Sequence, residues 1–469
     1  YVSTRGRAAR LDFESVLLAG LARDNGLYVP DTWPNFALHD IAELADASYA
    51  DAASRVMQPF VEGSLAPEEF HALIETAYGG FAHEAKAPLV QLDANLWVLE
   101  LFHGPTLAFK DLAMQLLGRL MDRSLTRSGE RATILAATSG DTGAAAVEAF
   151  SNREAIDVFV LFPDGRISEI QRRQMTTSGA SNVHPIAVQG TFDDCQAIVK
   201  TLFGDLNFRD EAQLSAVNSI NWARIMAQIV YYFTASASLG GPHRPMRFSV
   251  PTGNFGDIFA GYAAFRMGLP VERLIIATNT NDILARTLAT GRYEPRGVVP
   301  TSSPSMDIQV SSNFERLIFE ISGRDSERVN ALMNEFQEKG SFALAEAELT
   351  AIREIFSAHR ADEAETAETM QQFYQHTGYL ADPHTAVGLA AARRELRESG
   401  SPLIVLATAH PAKFPDAVAW ATGHKAEPPE RLRSILAGAE DHLTVEPEVD
   451  AVRAVIRDRG RFAQTRNFS

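Results

Sequence analysis

Met246-Arg247-Phe248-Ser249-Val250-Pro251-Thr252-Gly253-Asn254-Phe255-Gly256-Asp257, followed by the apolar run Ile258–Met267, decides the fold. A short apolar-rich run ends in a glycine turn, and a longer run with helical spacing follows. The same order recurs. Thr133–Ala137 leads into Ser139-Gly140-Asp141-Thr142-Gly143 and the Ala-rich Ala144–Phe150, and Asp157–Phe162 ends at Pro163-Asp164-Gly165. Arg273–Thr278 and Leu403–Ala407 read as further buried strands, and Leu96–Leu101 is a mostly apolar run. Strand, glycine turn and helix in repetition mark parallel α/β architecture. In such sheets ligands bind beyond the carboxyl ends of the strands, and every motif below stands at such an end or beside one.

Outward from this region the texture changes. Residues before about 95 read mostly helical: Phe13–Ala22 has helical spacing up to the turn Asp24-Asn25-Gly26, and Pro67-Glu68-Glu69 opens a helix to about Tyr78. Ala345–Thr369, rich in Ala and Glu, reads as a solvated helical region. The end through Arg459-Gly460-Arg461 reads as a peripheral helix and a loose tail. These changes divide the chain into 1–95, a helical N-terminal domain; 96–245, a small α/β domain; and 246–469, a large α/β domain with C-terminal helices.

Composition narrows the function. The chain has 469 residues, 46% of them apolar, enough to bury a large core with no disulfide or metal staple, and no metal site is expected. Its net charge of −16 argues against nucleic-acid binding, though a local pocket for a small phosphate is compatible with it. The single cysteine, Cys195, excludes a disulfide framework, fits a reducing compartment and reads as a buried, inert thiol. No apolar run is long enough for a bilayer, and Tyr1-Val2-Ser3-Thr4-Arg5-Gly6 lacks the apolar core of a secretory signal, so a cytoplasmic location is expected.

Gly253-Asn254-Phe255-Gly256-Asp257 follows a strand and opens a helix. Its glycines let backbone approach a ligand, and the free N–H groups at the positive end of the helix dipole suit a phosphate. It matches neither the P-loop nor the GxGxxG fingerprint, and a ligand-free turn satisfies the same spacing. Thr138-Ser139-Gly140-Asp141-Thr142-Gly143 adds hydroxyls to a similar nest, which suits a carboxylate or phosphate and also allows helix capping by Ser139 or Asp141. Two nests imply a ligand with two anionic ends, or two ligands.

His103-Gly104-Pro105-Thr106-Leu107-Ala108-Phe109-Lys110-Asp111 places Lys110 at or near the start of the apolar helix Leu112–Met121. A lysine there opposes the helix dipole, and local rule-breaking marks functional positions. Desolvation lowers a lysine's pKa and makes it a usable amine nucleophile. A solvent-exposed lysine is the ordinary alternative.

Phe109-Lys110-Asp111, the Ser139–Gly143 loop and the Gly253–Asp257 loop stand in the order found in fold-type II pyridoxal-5′-phosphate enzymes. Longer strings resemble the threonine synthase family. They are Ser3-Thr4-Arg5-Gly6, Gly26-Leu27-Tyr28-Val29-Pro30, Phe102–Asp111, Ala137–Gly143, Asn218-Ser219-Ile220-Asn221-Trp222, Gly253–Asp257, Met306-Asp307-Ile308 with Ser311–Arg316, and Ala407–Phe414. They cover nearly the whole chain, and their joint order carries the resemblance.

The resemblance implies parallel-rich twisted sheets flanked by helices, in a large domain and a smaller mobile domain, with a helical N-terminal region. It implies pyridoxal 5′-phosphate as cofactor and Lys110 as the residue that bonds its aldehyde and then serves as base. Phe109 would pack beside the ring. Gly253, Asn254, Phe255, Gly256 and Asp257 would hold the cofactor phosphate through backbone N–H groups, with the Asp257 side chain as a helix-start cap. Asp141 stands where many relatives carry an Asn against the cofactor 3′-oxygen, and two anionic oxygens there would share a proton. The Thr408 hydroxyl would face the pyridine nitrogen and leave the ring a milder electron sink than a carboxylate would.

Thr138, Ser139, Gly140 and Thr142 would bind the substrate carboxylate. Asn218, Ser219 and Arg224 would grip the substrate phosphate, arginine suiting a bidentate contact. Read from residues alone, Arg224 on the apolar helix Trp222–Phe233 serves equally as one half of a surface ion pair. His103, His384, His410 and Lys413 lie in the family-like strings without a role. The implied reaction takes O-phospho-L-homoserine and water to L-threonine and phosphate, in a monomer or homodimer. The alternatives are a related phospho-lyase that releases 2-oxobutanoate, ammonia and phosphate; a dehydratase or β-replacement enzyme acting on unphosphorylated serine or threonine; and a non-catalytic phosphometabolite-binding protein.

Overall fold

The computed structural model describes residues 1–396 and 399–462. The chain forms two compact units, the first comprising Tyr1–Val16, Leu21–Ala113 and Ser219–Glu427, the second Leu17–Gly20, Met114–Asn218 and Pro428–Ser469. Both boundaries read from the sequence, 95 and 245, fall within the first unit. That unit is discontinuous along the chain, and no local change of composition announces where it is interrupted.

The first unit is built on a six-stranded sheet. Its order is Phe356–Arg360, Val271–Thr278, Met246–Pro251, Leu403–Ala407, Leu96–Glu100 and Leu89–Asp93. Every neighbouring pair is parallel except the last. Each residue of Met246–Pro251 and Leu403–Ala407 is buried, because these central strands lie beneath helices such as Pro383–Glu395. Burial on both faces is what makes such strands read as unbroken apolar runs. Ala407 pairs with Glu100, and Val405 with Ser249, so neighbouring strands end close together.

The N-terminal helices follow their local signals. Ser48 caps Tyr49–Val61 by accepting from the Asp51 N–H, and Pro67 occupies the first turn of Pro67–Tyr78. Two edge strands depart from the expectation. Leu89–Asp93 pairs antiparallel with Leu96–Glu100 inside the stretch read as helical, and Phe356–Arg360 interrupts the supposed helical region Ala345–Thr369. Edge strands are half-solvated, so neither shows the continuous apolar run that identifies the centre of the sheet.

The second unit holds five parallel strands in the order Leu443–Val445, Val183–Val188, Ile156–Pro163, Ala132–Ala137 and Leu214–Ser215. Cys195 sits in its core, and burial pushes the thiol up to about 12, which bears out an unreactive cysteine. The C-terminal helix Val449–Arg459 is not peripheral, because Val452 and Ile456 are fully buried in the same core. Arg461 is likewise fixed: its backbone N–H and Nε donate to the buried Asp157 carboxylate at 2.8 and 2.6 Å. The rest of the expected loose tail, after 462, lies outside the described residues. Among the described residues no helix is long and apolar enough to cross a membrane.

Candidate active site

Three adjacent parallel strands of the first unit deliver three loops at their carboxyl ends. Residues 102–110 follow Leu96–Glu100, 252–257 follow Met246–Pro251, and 408–413 follow Leu403–Ala407. The first and third loops are bonded together. The Phe109 N–H donates to the Thr408 carbonyl at 2.8 Å and the His410 N–H to the Leu107 carbonyl at 3.0 Å. The turn between Gly104 and Lys110 is fixed from inside, since the Thr106 N–H and hydroxyl each donate to the buried Asp111 carboxylate at 2.7 Å. A Cβ on Gly104 would meet Asp111 at 2.4 Å, so only glycine fits there. Fully buried Lys413 donates to the Thr106 carbonyl at 2.9 Å, a structural task that answers why this lysine is present.

Lys110 is the first residue of the helix Lys110–Ser128, as its sequence position suggested. It is 8% exposed. Its Nζ donates to Ser305 Oγ at 3.3 Å and lies 5.0 Å from the centre of the partly exposed Phe109 ring. Ser305 in turn touches the glycine loop: a Cβ on Gly253 would stand 2.7 Å from the Ser305 carbonyl oxygen. One residue, absent from the sequence reading, therefore joins the amine of Lys110 to the backbone at 253. Its neighbours Met306-Asp307-Ile308 belong to a family-like string, the one signal that pointed this way.

The glycine loop is held from outside. Ser311 Oγ donates to the Gly253 carbonyl at 2.6 Å, and Asn313 donates to the Asn254 carbonyl from its backbone at 3.1 Å and its side chain at 3.0 Å. Asn313 Nδ2 also donates to the Ser219 carbonyl at 3.2 Å, which brings Ser219 beside the loop. Buried Arg316 bonds the side chain of Asn313, the Tyr28 carbonyl at 3.0 Å and the Ile220 carbonyl at 2.6 Å. Burial lowers its guanidinium pKa to about 9. Phe255 occupies the left-handed region at φ 63°, an uncommon conformation for a bulky residue, held by packing against Phe314 at 5.4 Å. No side chain caps the helix Gly256–Arg266 that follows.

Asp257 is not the cap expected of it. Its Oδ1 accepts from the Tyr231 hydroxyl at 2.5 Å and the Tyr232 hydroxyl at 3.0 Å, both on the helix Trp222–Ser238. Its Oδ2 is buried with no hydrogen-bond partner among the described residues. Desolvation raises the carboxyl to about 6, against the lowering effect of the two tyrosines and the Lys110 charge. The carboxylate turns inward because two phenolic donors await it there, which leaves the helix start to its backbone donors alone. Arg224, on the same helix as the tyrosines, is only 3% exposed, and burial lowers it to about 10, so it is not half of a surface pair. Thr408 is 6% exposed at the end of its strand. His410 is pushed down to about 4, chiefly by burial.

In the second unit, Thr138 Oγ1 accepts from the Gly140 and Gly143 N–H groups, each at 2.9 Å, and so shapes its loop from within. Gly140, at φ 137°, is the N-cap of the helix Asp141–Phe150 and brings no side chain to it. Asp141 is buried and accepts from Gln171 Nε2 at 3.0 Å. Ser139 and Thr142 stay partly exposed. Asn218 closes the stretch of this unit that Ser219 leaves.

A buried amine and an uncapped helix start, at the carboxyl ends of parallel strands separated by the single strand Leu403–Ala407, fit a cofactor with an aldehyde and a phosphate: the amine suits the first and the backbone donors suit the second. The chain is thus a fold-type II pyridoxal-phosphate-dependent enzyme. Residues 81–335 match the family model described as "Pyridoxal-phosphate dependent enzyme", residues 1–78 "Threonine synthase N terminus" and residues 385–456 "Threonine synthase, C-terminal". The chain is 52% identical to a threonine synthase of Pseudomonas aeruginosa over 98% of each sequence. It is similar to the pyridoxal-phosphate-bound crystal structure of threonine synthase from Brucella melitensis, with TM-score 0.95 and 56% identity over 98% of this chain and 99% of that one. The yeast threonine synthase structure matches with TM-score 0.92 and 38% identity over 97% and 98%. The chain belongs to the threonine synthase family.

Proposed function

We propose that this chain converts O-phospho-L-homoserine and water into L-threonine and phosphate. The observation that carries the proposal is the Lys110 amine held by Ser305, whose carbonyl abuts Gly253. Pyridoxal phosphate, when bound, supplies a ring that accepts the electrons of a carbanion beside the substrate nitrogen.

The residues of the chain do the rest. Lys110 would hold the cofactor through its amine and, as a free amine, would take a proton from Cα and then from Cβ. The Cβ deprotonation expels phosphate from Cγ; one proton is then returned to Cγ, which becomes the methyl group, water adds its hydroxyl at Cβ, and a second proton is returned to Cα. Backbone donors of Gly253, Asn254, Phe255, Gly256 and Asp257 would hold the cofactor phosphate, and Phe109 would pack beside the ring. Asp141 would serve the cofactor's 3′-oxygen and the Thr408 hydroxyl its ring nitrogen, where a hydroxyl would restrain ring protonation. Ser139, Gly140 and Thr142 bind the substrate carboxylate, with Thr138 shaping that loop from within. Asn218, Ser219 and Arg224 bind the phosphate that leaves, an arginine suiting a bidentate contact. A cytoplasmic location and a monomeric or homodimeric state complete the proposal, the former supported by the buried, unpaired Cys195.

The test incubates the cofactor-loaded protein with O-phosphohomoserine and follows phosphate, threonine and 2-oxobutanoate together. Equal threonine and phosphate are expected. 2-oxobutanoate in place of threonine would show a phospho-lyase, and no phosphate release a binding protein. Lys110→Ala is expected to lower turnover by at least about 10³-fold, as removal of both anchor and base requires.

A further inference from the structure

Resting on the reading of Lys110 as the cofactor lysine, we propose that His384 is a positioning residue for that amine, acting through Ser305. His384 lies in the first turn of the helix Pro383–Glu395 and is 2% exposed. Its Nε2 sits 3.2 Å from the Ser305 backbone nitrogen, and its Nδ1 sits 2.6 Å from Asp382 Oδ2. A backbone amide can only donate, so Nε2 is the acceptor and carries no hydrogen. The hydrogen therefore resides on Nδ1 and is donated to Asp382, and one neutral tautomer satisfies both contacts.

Asp382 is itself fixed. Its Oδ1 accepts from the Thr385 N–H at 3.0 Å and from the Thr385 hydroxyl, and its Oδ2 from the His384 N–H at 3.0 Å. Phe414 packs on the imidazole at 4.9 Å. The ring is thus held from behind and presents one acceptor to Ser305.

Ser305 needs that support. It sits in the short turn Pro304–Met306, outside any sheet, and side chains from elsewhere set its place. On its far side Asp307 accepts from Asn279, Asn281 and Thr301 at 2.9, 3.0 and 2.7 Å, which pins the following residue pair. On its near side His384 holds the N–H. Between these anchors, Ser305 offers its hydroxyl to Lys110 and its carbonyl to Gly253. A displacement of Ser305 would move the acceptor of the amine and the wall of the phosphate loop together. A plain helix cap would end at Asp382, whereas here the imidazole reaches onward to the turn that touches both halves of the cofactor site.

The test titrates the visible absorbance of the cofactor-loaded full chain against pH, with kcat and KM measured beside it. An acceptor near the lysine nitrogen stabilises its protonated form. Ser305→Ala is therefore expected to lower the absorbance midpoint by roughly one pH unit, about tenfold in protonation. His384→Ala is expected to move it in the same direction by a smaller amount. The double variant should match Ser305→Ala alone, because one residue works through the other. His384→Gln, which keeps an acceptor, should restore most of the midpoint, and kcat should fall more than KM rises.

A folded, loaded His384→Ala with the parent midpoint overturns the proposal, as does a double variant whose shift is the sum of the two. If His384→Ala does not fold, Asp382→Asn decides: a lowered midpoint supports the relay and a parental one overturns it. A parent protein with no visible cofactor band and no threonine product overturns the reading of Lys110 as well. That failure is seen before any variant is made, so the two are distinguishable.

Discussion

Replacing Asp257 by Asn isolates the cost of a carboxylate buried at the mouth of the phosphate loop. The carboxyl is raised from an ordinary 3.8 to about 6, chiefly by desolvation. A rise of about two pH units corresponds to about 3 kcal/mol. The folded state binds this proton more tightly than the unfolded chain does. The stabilisation is therefore fully present below about pH 4 and is lost as pH rises through about 6. Asn cannot ionise, and its carbonyl can still accept from Tyr231 and Tyr232. Its amide takes the buried place of Oδ2, a difference that does not vary with pH. Urea unfolding of cofactor-free parent and variant at pH 4, 5, 6 and 7 reads the difference directly. The stability of Asp257→Asn relative to the parent is expected to improve by about 2.4 kcal/mol between pH 4 and 7. A difference that stays flat across that range, or that moves the other way, refutes a desolvated carboxyl at this site.

Gly253→Ala is expected to weaken cofactor retention by at least about tenfold, or about 1.4 kcal/mol, because its Cβ would stand 2.7 Å from a backbone oxygen; equilibrium dialysis against pyridoxal phosphate checks this. In Gly140→Ala the new Cβ would fall 2.2 Å from the Gln171 side chain, at a φ of 137° that L-residues avoid. KM for O-phosphohomoserine should rise more than cofactor affinity falls, as steady-state kinetics beside a cofactor titration will read. Cys195, with a thiol raised to about 12, should resist maleimide at pH 7 in the native protein and react only once the second unit opens in denaturant.

Much of the site was legible because its chemistry requires particular local residues. A lysine that opens a helix breaks the dipole rule in plain view, and Lys110 does open its helix. Gly253–Asp257 reads as strand, turn and helix start because buried strands and glycine turns are local events. The supporting residues left no such trace. Ser305 and His384 are ordinary residue types, and Tyr231 and Tyr232 look like any aromatics in an apolar helix. The inward turn of Asp257 depends on donors 25 and 26 residues away in sequence, so a first-turn acid was read as a cap.

The sequence by itself determined the central strands, the glycine turns, the lysine at its helix start and the order of the motifs, since each rests on periodicity or on a backbone conformation that few residues allow. Only the tertiary structure decided that Ser305 joins Lys110 to Gly253, that Arg224 is buried and that the C-terminal helix belongs to a core. It also decided that two half-exposed segments are edge strands. Those outcomes depend on contacts between residues far apart along the chain. Such contacts form because burial must satisfy every polar group it encloses, a condition that no local stretch of sequence states.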